Sequence, residues 1–258
     1  MKRINDYNEL NSLIMSQLRK GVFTNCFISK EEFERDIKNG NLFYDSYENV
    51  LLLFRKMEDY FKMNFYINDV TDFINLSYQD VIVCEVVSPP NCDYTPVVDF
   101  LNKSGMKQKT QRVRLINVNN NAGQEILNIE KGNLKDYDEI VKLFYENFDK
   151  YIGCIPSNDD IQLDIINKNI YCYKEDNKVV GILQISNKNG VSLIKHLAVS
   201  SNYRRKGIAK SLVSQYLLDT RNFKKYVWTG ANNEVAQNTY FSVGYKADGY
   251  ISYVLKNS

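Results

Sequence analysis

Two α+β halves, each a mostly antiparallel mixed sheet flanked by helices, are the architecture this sequence predicts. Three observations carry that expectation. Short strand-like runs alternate with helical periods along the chain, hairpin signals join successive strands in the second half, and one polar, turn-prone stretch, Asn117 to Gln124, breaks the pattern near the middle. That stretch reads as a linker, which places the domains at residues 1–117 and 125–258.

The second half is the clearer one. Glu125 to Glu130 reads as a short strand, and Leu134 to Phe148 carries Tyr137, Ile140, Val141, Phe144, Tyr145 and Phe148 at helical spacing. Ile161, Ile165 and Ile166 predict a shorter helix. Strands follow at Ile170 to Tyr173, Val179 to Ile185 and Val191 to Val199, joined by the turn sequences Glu175-Asp-Asn-Lys178 and Asn187-Lys-Asn-Gly190 into an antiparallel meander. Gly207 to Asp219 places Ile208, Leu212, Val213, Tyr216 and Leu217 on one helical face. A strand at Tyr226 to Thr229, a helix at Glu234 to Val243 and a closing strand at Tyr250 to Leu255 complete the order.

The first half is blurrier but similar. Helices are expected at Tyr7 to Leu18 and Lys30 to Lys38, then strands at Leu42 to Tyr44, Val50 to Phe54, Tyr60 to Ile67 and Val81 to Val87, a helix at Thr95 to Leu101 and a strand at Arg112 to Ile116. One element order in both halves points to a tandem duplication.

Composition narrows the function classes. Lys and Arg number 33 against 31 Asp and Glu, interspersed, so no basic tract argues for nucleic acid or an acidic membrane. The five cysteines, Cys26, Cys84, Cys92, Cys154 and Cys172, form no C-x-x-C pair and lie far in sequence from the single His196, which speaks against a zinc site or a disulfide framework. Met1 to Ser12 is polar, unlike a signal peptide. No apolar run approaches the ~18 residues that span a bilayer. A soluble, cytoplasmic protein without a metal is the expectation.

The segment Leu197-Ala-Val-Ser-Ser-Asn-Tyr-Arg-Arg-Lys-Gly-Ile-Ala209 predicts a strand, a basic turn and a helix start. Unpaired N–H groups and partial positive charge gather at a helix N-terminus, Gly207 and Ala209 leave room there, and Arg204, Arg205 and Lys206 add cations. Together they form an anion site of the kind that takes a pyrophosphate.

This segment resembles the CoA-binding motif of the GNAT superfamily, [RQ]-x-x-G-x-[GA], met by Arg204, Gly207 and Ala209 after a strand ending Leu197-Ala-Val199. A second family signature, N-x-x-A-x-x-x-Y-x-x-x-G-[FY], is met by Asn233, Ala236, Tyr240, Gly244 and Tyr245. Both stand in the family's order, over roughly residues 125–256. The resemblance implies an N-acetyltransferase that uses acetyl-CoA as co-substrate and acts by direct attack in a ternary complex. Backbone N–H groups of Arg205, Lys206, Gly207, Ile208, Ala209 and Lys210 would cradle the pyrophosphate. The pantetheine arm would run beside Leu197, Ala198 and Val199, where the strand splays from its neighbour, often at a bulge, and an N–H near Leu197 or Ala198 would polarise the thioester carbonyl. Tyr240 would protonate the departing thiolate, and Asn233 would cap or orient its helix.

For the base, His196 borders the expected cleft with a suitable pKa, yet alternate strand residues face opposite sides, so a structural or substrate-lining role stands beside it. Tyr151, Asp159 and Asp160 lie where the family builds its acceptor wall. The expected acceptor is a small-molecule or peptide amine, and the expected assembly a monomer or homodimer. A non-catalytic acyl-CoA sensor or interaction module is the alternative function. The first half departs from the family: where a glycine loop belongs it reads Tyr66-Ile-Asn-Asp-Val-Thr-Asp-Phe73, without glycine and with aspartates that repel phosphate. It reads as a degenerate GNAT-like domain without CoA, or as an unrelated α+β domain.

Overall fold

The computed structural model describes residues 1–118 and 126–257. The chain divides into two compact units, Met1–Gln111 with Ile251–Ser258, and Arg112–Tyr250. These bounds differ from the expected 1–117 and 125–258: the backbone leaves the first unit inside one strand, at Gln111, and returns inside another, at Ile251. Of the expected linker, residues 119–124 lie outside the described residues, as does Glu125 of the strand expected after it. Asn117, its first residue, instead ends a strand, buried, with Nδ2 donating to Val243 O at 3.0 Å.

In the first unit the order is β1 (Lys2–Arg3), α1 (Tyr7–Gln17), β2 (Phe23–Thr24), α2 (Lys30–Lys38), β3 (Leu42–Ser46), β4 (Val50–Lys56), β5 (Phe61–Ile67), β6 (Ile82–Ser88), α3 (Thr95–Lys103) and the start of β7 (Met106–Asn117). Local chemistry sets the helix starts. Asp6 caps α1 by accepting from Asn8 and Glu9, Ser29 and Glu32 form a reciprocal capping box on α2, and Pro96 opens α3. The sheet runs β1-β3-β4-β5-β6 and ends on residues 251–256 of the chain's last strand, antiparallel to β6. Strand β4 shows why both faces are covered. Leu52 and Phe54 enter one apolar cluster with Phe65, Phe100 and Leu101, while Leu51 and Leu53 enter another with Leu10 and Phe33.

In the second unit, β8 (Ile129–Lys131) leads through a short 3₁₀ turn to α4 (Tyr137–Asn147), α5 (Asn158–Ile166), β9 (Ile170–Glu175), β10 (Lys178–Lys188), β11 (Val191–Val199), α6 (Ile208–Asp219), β12 (Lys224–Gly230), α7 (Glu234–Phe241) and β13 (Lys246–Asn257). The sheet runs β8-β9-β10-β11-β12, then Arg112–Asn117 of β7. Two hairpin turns hold consecutive residues at positive φ, Asp176-Asn177 (51° and 61°) and Asn189-Gly190 (51° and 75°), the residue types that such turns require. Helices α4 and α5 pack on one face and α6 and α7 on the other. On β10, a Cβ at Gly181 would lie 2.9 Å from Ile208 Cγ2, so glycine there lets α6 sit close against the strand. Leu212, Val213 and Tyr216 of α6 are fully buried against it, each apolar side chain worth roughly 1.5–3 kcal/mol. Each unit is therefore the expected α+β layer structure, mostly antiparallel, with a parallel pair in each: β5 with β6, and β11 with β12.

Candidate functional site

The parallel pair in the second unit comes apart. Strands β11 and β12 are in register only over Val191–Ile194 against Lys224–Val227, yet β11 continues to Val199 and β12 to Gly230. On their far edges both stay paired, β11 with β10 and β12 with β7. The divergence coincides with a bulge: Gln184 faces His196 and Ile185 faces Ile194, leaving Lys195 as an extra residue. Among the described residues, the inner edge of Leu197–Val199 thus carries backbone groups without a ladder partner.

Helix α6 begins beside the end of that strand. Gly207 is its N-cap at φ 80°, no side chain caps the first turn, and no acid lies in it. A Cβ at Gly207 would meet nothing within 4 Å, so its surroundings are open. The first helical bond runs from Ser211 N–H to Gly207 O, which leaves the preceding N–H groups directed outward. Ile208 is buried and anchors the turn, Ala209 is half-buried, and Arg205 (φ 63°), Lys206 and Lys210 are exposed. Arg204 is turned back onto the protein. Its Nε donates to Val199 O at 3.2 Å and its guanidinium to Asn147 Oδ1 at 2.8 Å, so it latches the loop to β11 and α4. Lys206 lies 3.8 Å from Glu175 and over the Tyr203 ring. Of the three cations expected around the anion site, one is a structural latch and one is partly neutralised.

Helix α7 completes this side. Asn233 Oδ1 accepts from Ala236 N–H at 3.1 Å, the capping role its position suggested. Tyr240 is 3% exposed and stands edge-on to Tyr245 at 5.4 Å, in one apolar cluster with Leu197 and Val199. Burial raises its phenol above the ordinary value, so the O–H keeps its proton and remains a donor.

His196 is where expectation and structure part. The bulge at Lys195 turns its ring to the α4–α5 face, while Leu197 and Val199 point to the α6–α7 side. The ring is buried edge-on between Phe144 and Phe148, with centroids at 5.2 and 4.7 Å. Nδ1 lies 2.6 Å from Gln184 Oε1 and Nε2 2.8 Å from Gly153 O. Burial pushes its pKa down to about 4, with the Gly153 carbonyl opposing, and Lys195 and Arg112 adding to the fall. A neutral ring has one N–H, which Nε2 can give to the Gly153 carbonyl, and a buried ring that faces Phe144 and Phe148 rather than Leu197 and Val199 is poorly placed as a general base. Of the two expected roles, base and structural or substrate-lining, this placement favours the second.

Asp159 and Asp160 are exposed at the start of α5, where Ser157 Oγ accepts from Asp160 N–H, so they serve a helix start. Tyr151 sits in the α4–α5 loop, half-buried. Cys172 is fully buried with its thiol pushed up to about 12 by burial, and among the described residues no cluster of His, Cys, Asp and Glu could hold a metal. Gln184, Gly153 and Arg112 were not picked out from sequence. A polar Gln184 inside the apolar run Val179–Ile185 was the one available signal, and the structure buries it fully.

The first unit repeats the opening and closes it. Strands β5 and β6 are in register only over Phe61–Met63 against Ile82–Cys84, then diverge. Residues Phe23 and Thr24 pair with β5, and Asn25 fills the gap. Its Oδ1 accepts from Phe65 N–H at 2.8 Å, and its Nδ2 donates to Met63 O at 3.2 Å and to Glu85 O at 2.8 Å, joining both strands. After β5 no helix follows before β6.

Comparison with known proteins agrees with this geometry. Residues 137–245 match the acetyltransferase (GNAT) family. Among solved structures, a GNAT-family acetyltransferase from Colwellia psychrerythraea is similar over 100% of this chain and 99% of its own, at 13% identity and a TM-score of 0.58. A GCN5-related N-acetyltransferase from Sphaerobacter thermophilus is similar over 90% and 86%, at 12% identity and a TM-score of 0.58. A tandem GNAT protein from the clavulanic acid biosynthesis pathway is similar over 81% and 78%, at 9% identity and a TM-score of 0.52. No curated protein matches the chain. At these identities the solved structures speak to the fold, and the family match to the second unit.

Proposed function

We propose that the GNAT acetyltransferase domain at residues 137–245 is an N-acetyltransferase that moves the acetyl group of acetyl-CoA to a primary amine. The observation that carries this reading is the parting of β11 from β12 beside the uncapped, glycine-started helix α6. Its residues fit the co-substrate. The open space at Gly207 suits a phosphate, and the N–H groups of the α6 turn, with exposed Arg205 and Lys210, offer donors and charge to it. When bound, acetyl-CoA supplies a thioester whose acyl carbon the amine attacks. The inner edge of Leu197–Val199 aligns the pantetheine arm by backbone pairing, and an N–H near Leu197 or Ala198 stabilises charge on the carbonyl oxygen. Tyr240 holds the proton destined for the leaving sulfur. The amine's own proton leaves by water, since His196 is engaged elsewhere.

The first unit is, on this reading, a degenerate GNAT-like partner in a tandem chain, its opening occupied by Asn25. Calorimetric titration with acetyl-CoA, beside dephospho-CoA, tests both parts. One site per chain, followed by amine-dependent thiol release in a screen of small-molecule and peptide amines, is the expected outcome. A well-folded protein that takes up no acetyl-CoA would sink the transferase reading.

A further inference from the structure

The α4–α5 loop is held to the sheet from below at two successive carbonyls. Asp149 Oδ1 accepts from Tyr151 N–H and Ile152 N–H, at 2.9 and 2.8 Å, and Gly153 N–H donates to Asp149 O at 2.8 Å, so residues 149–153 form one tight turn. A Cβ at Gly153 would lie 2.4 Å from Asp149 O, and no side chain fits there. Arg112 of β7 donates to Ile152 O, and His196 of β11 holds Gly153 O through Nε2. Behind the ring the support continues. Gln184 is 0% exposed and donates to Asp164 of α5, which also accepts from Asn169 Nδ2 at 2.9 Å. Asp164, Gln184, His196 and Gly153 thus link α5, β10, β11 and the loop in one chain of polar contacts through an otherwise apolar layer.

The ring's strand is also the strand that borders the opening. Lys195, the bulge residue, both starts the divergence from β12 and turns His196 toward the loop. We propose that His196 is a positioning residue for the amine acceptor. It fixes the loop carrying Tyr151, whose Ile152 and Gly153 carbonyls are held by Arg112, opposite Gly230 of β12, and by His196 of β11, the two strands that part, so that this side of the opening keeps its shape while His196 touches neither substrate. This rests on the acetyltransferase reading for its kinetic consequence but not for its structural one.

Two variants test it. His196→Phe keeps the ring's shape and its aromatic contacts but removes both polar ones. His196→Gln restores an amide donor near the Nε2 position. In His196→Phe, amide exchange at Ile152 and Gly153 should quicken by about tenfold, the loss of one buried hydrogen bond, while exchange in β9 and β10 stays as it was. The Michaelis constant for the amine should rise by about the same factor, with the acetyl-CoA dissociation constant by calorimetry within twofold, and His196→Gln should recover most of both. Unchanged exchange at Ile152 and Gly153 in folded His196→Phe would overturn the proposal, whatever the activity. So would a fall in turnover alone with the amine constant and loop exchange unmoved, because that is the signature of a base. Failure of the wild-type protein to bind acetyl-CoA would refute the transferase reading, and the exchange measurement would still decide whether His196 holds the loop.

Discussion

Both units open a parallel strand pair after three or four paired positions, and among the described residues only the first unit's opening is bridged by another segment. In the first unit, β5 and β6 part after Met63 and Cys84, and Asn25 bridges the gap with hydrogen bonds to both strands. In the second, β11 and β12 part after Ile194 and Val227, and among the described residues no other segment pairs into the space. The segments that leave the first strand of each pair differ in the same sense. After β11 come a basic turn, Gly207 at positive φ and a twelve-residue helix. After β5 come Asp69 and Asp72 and no helix before β6. The backbone opening is therefore shared architecture. Whether it is a ligand site depends on the helix N-terminus beside it and on whether the chain refills it.

The largest effect that would sharpen this contrast is Gly207→Glu. Its side chain would enter the open space at a φ of 80° that L residues rarely adopt, and would place a negative charge against a phosphate. Acetyl-CoA affinity should fall by more than about a hundredfold, from like-charge repulsion at the anion site. Calorimetry on folded variant checks it, and residual one-site binding of normal strength would move the site elsewhere, the first unit included. Next comes Tyr240→Phe. Turnover should drop by about ten- to a hundredfold with acetyl-CoA affinity within a few-fold, because the ring packing against Tyr245 survives and only the proton donor is lost. A fully active variant, in steady-state assays at saturating substrates, would leave Tyr240 as packing.

A third effect separates the units by pH. The chain's only histidine is in the second unit. The unfolded chain protonates it near 6.5, and the folded one only near 4. Its contribution is fully present above the unfolded value and is lost as the pH falls toward the folded one. Over that window the second unit should lose about 3 kcal/mol relative to a His196→Gln variant, read by denaturant unfolding at a series of pH values. Parallel curves for the two proteins would show that the buried ring titrates normally. The smallest effect tests the plug. Asn25→Ala removes the hydrogen bonds that tie Phe65, Met63 and Glu85 together, and should cost the first unit about 2 kcal/mol while leaving acetyl-CoA affinity unchanged. A change in affinity would mean that the two openings are not independent.

Much of this molecule was legible before folding was considered. The spans of α2 and β11 were read to the residue, and α6 and α7 to within two at each end, because apolar periodicity and turn residues act over a few positions. The glycine-started basic turn was legible for the same reason. Strand alternation already allowed His196 to face away from Leu197 and Val199, but its partners Gln184 and Gly153 were not legible, since they lie 12 and 43 positions away. Arg204 was placed correctly in sequence, but its contacts were not legible, since its partners Val199 and Asn147 come from two other elements.

Sequence by itself therefore determined the order of elements, the second unit's glycine-started basic turn and the absence of one in the first, all consequences of local conformational preference and composition. Tertiary structure decided which strand joins which sheet. Residues 251–256, expected to close the second half, hydrogen-bond to β6 of the first unit, and Arg112–Asn117, expected to close the first, pair with β12. It also decided that Asn25 seals one opening and that His196 grips a loop. Those outcomes come from backbone pairing and side-chain hydrogen bonds between residues some 40 to more than 100 positions apart, where the free energy lies in the partner, and no local pattern names the partner.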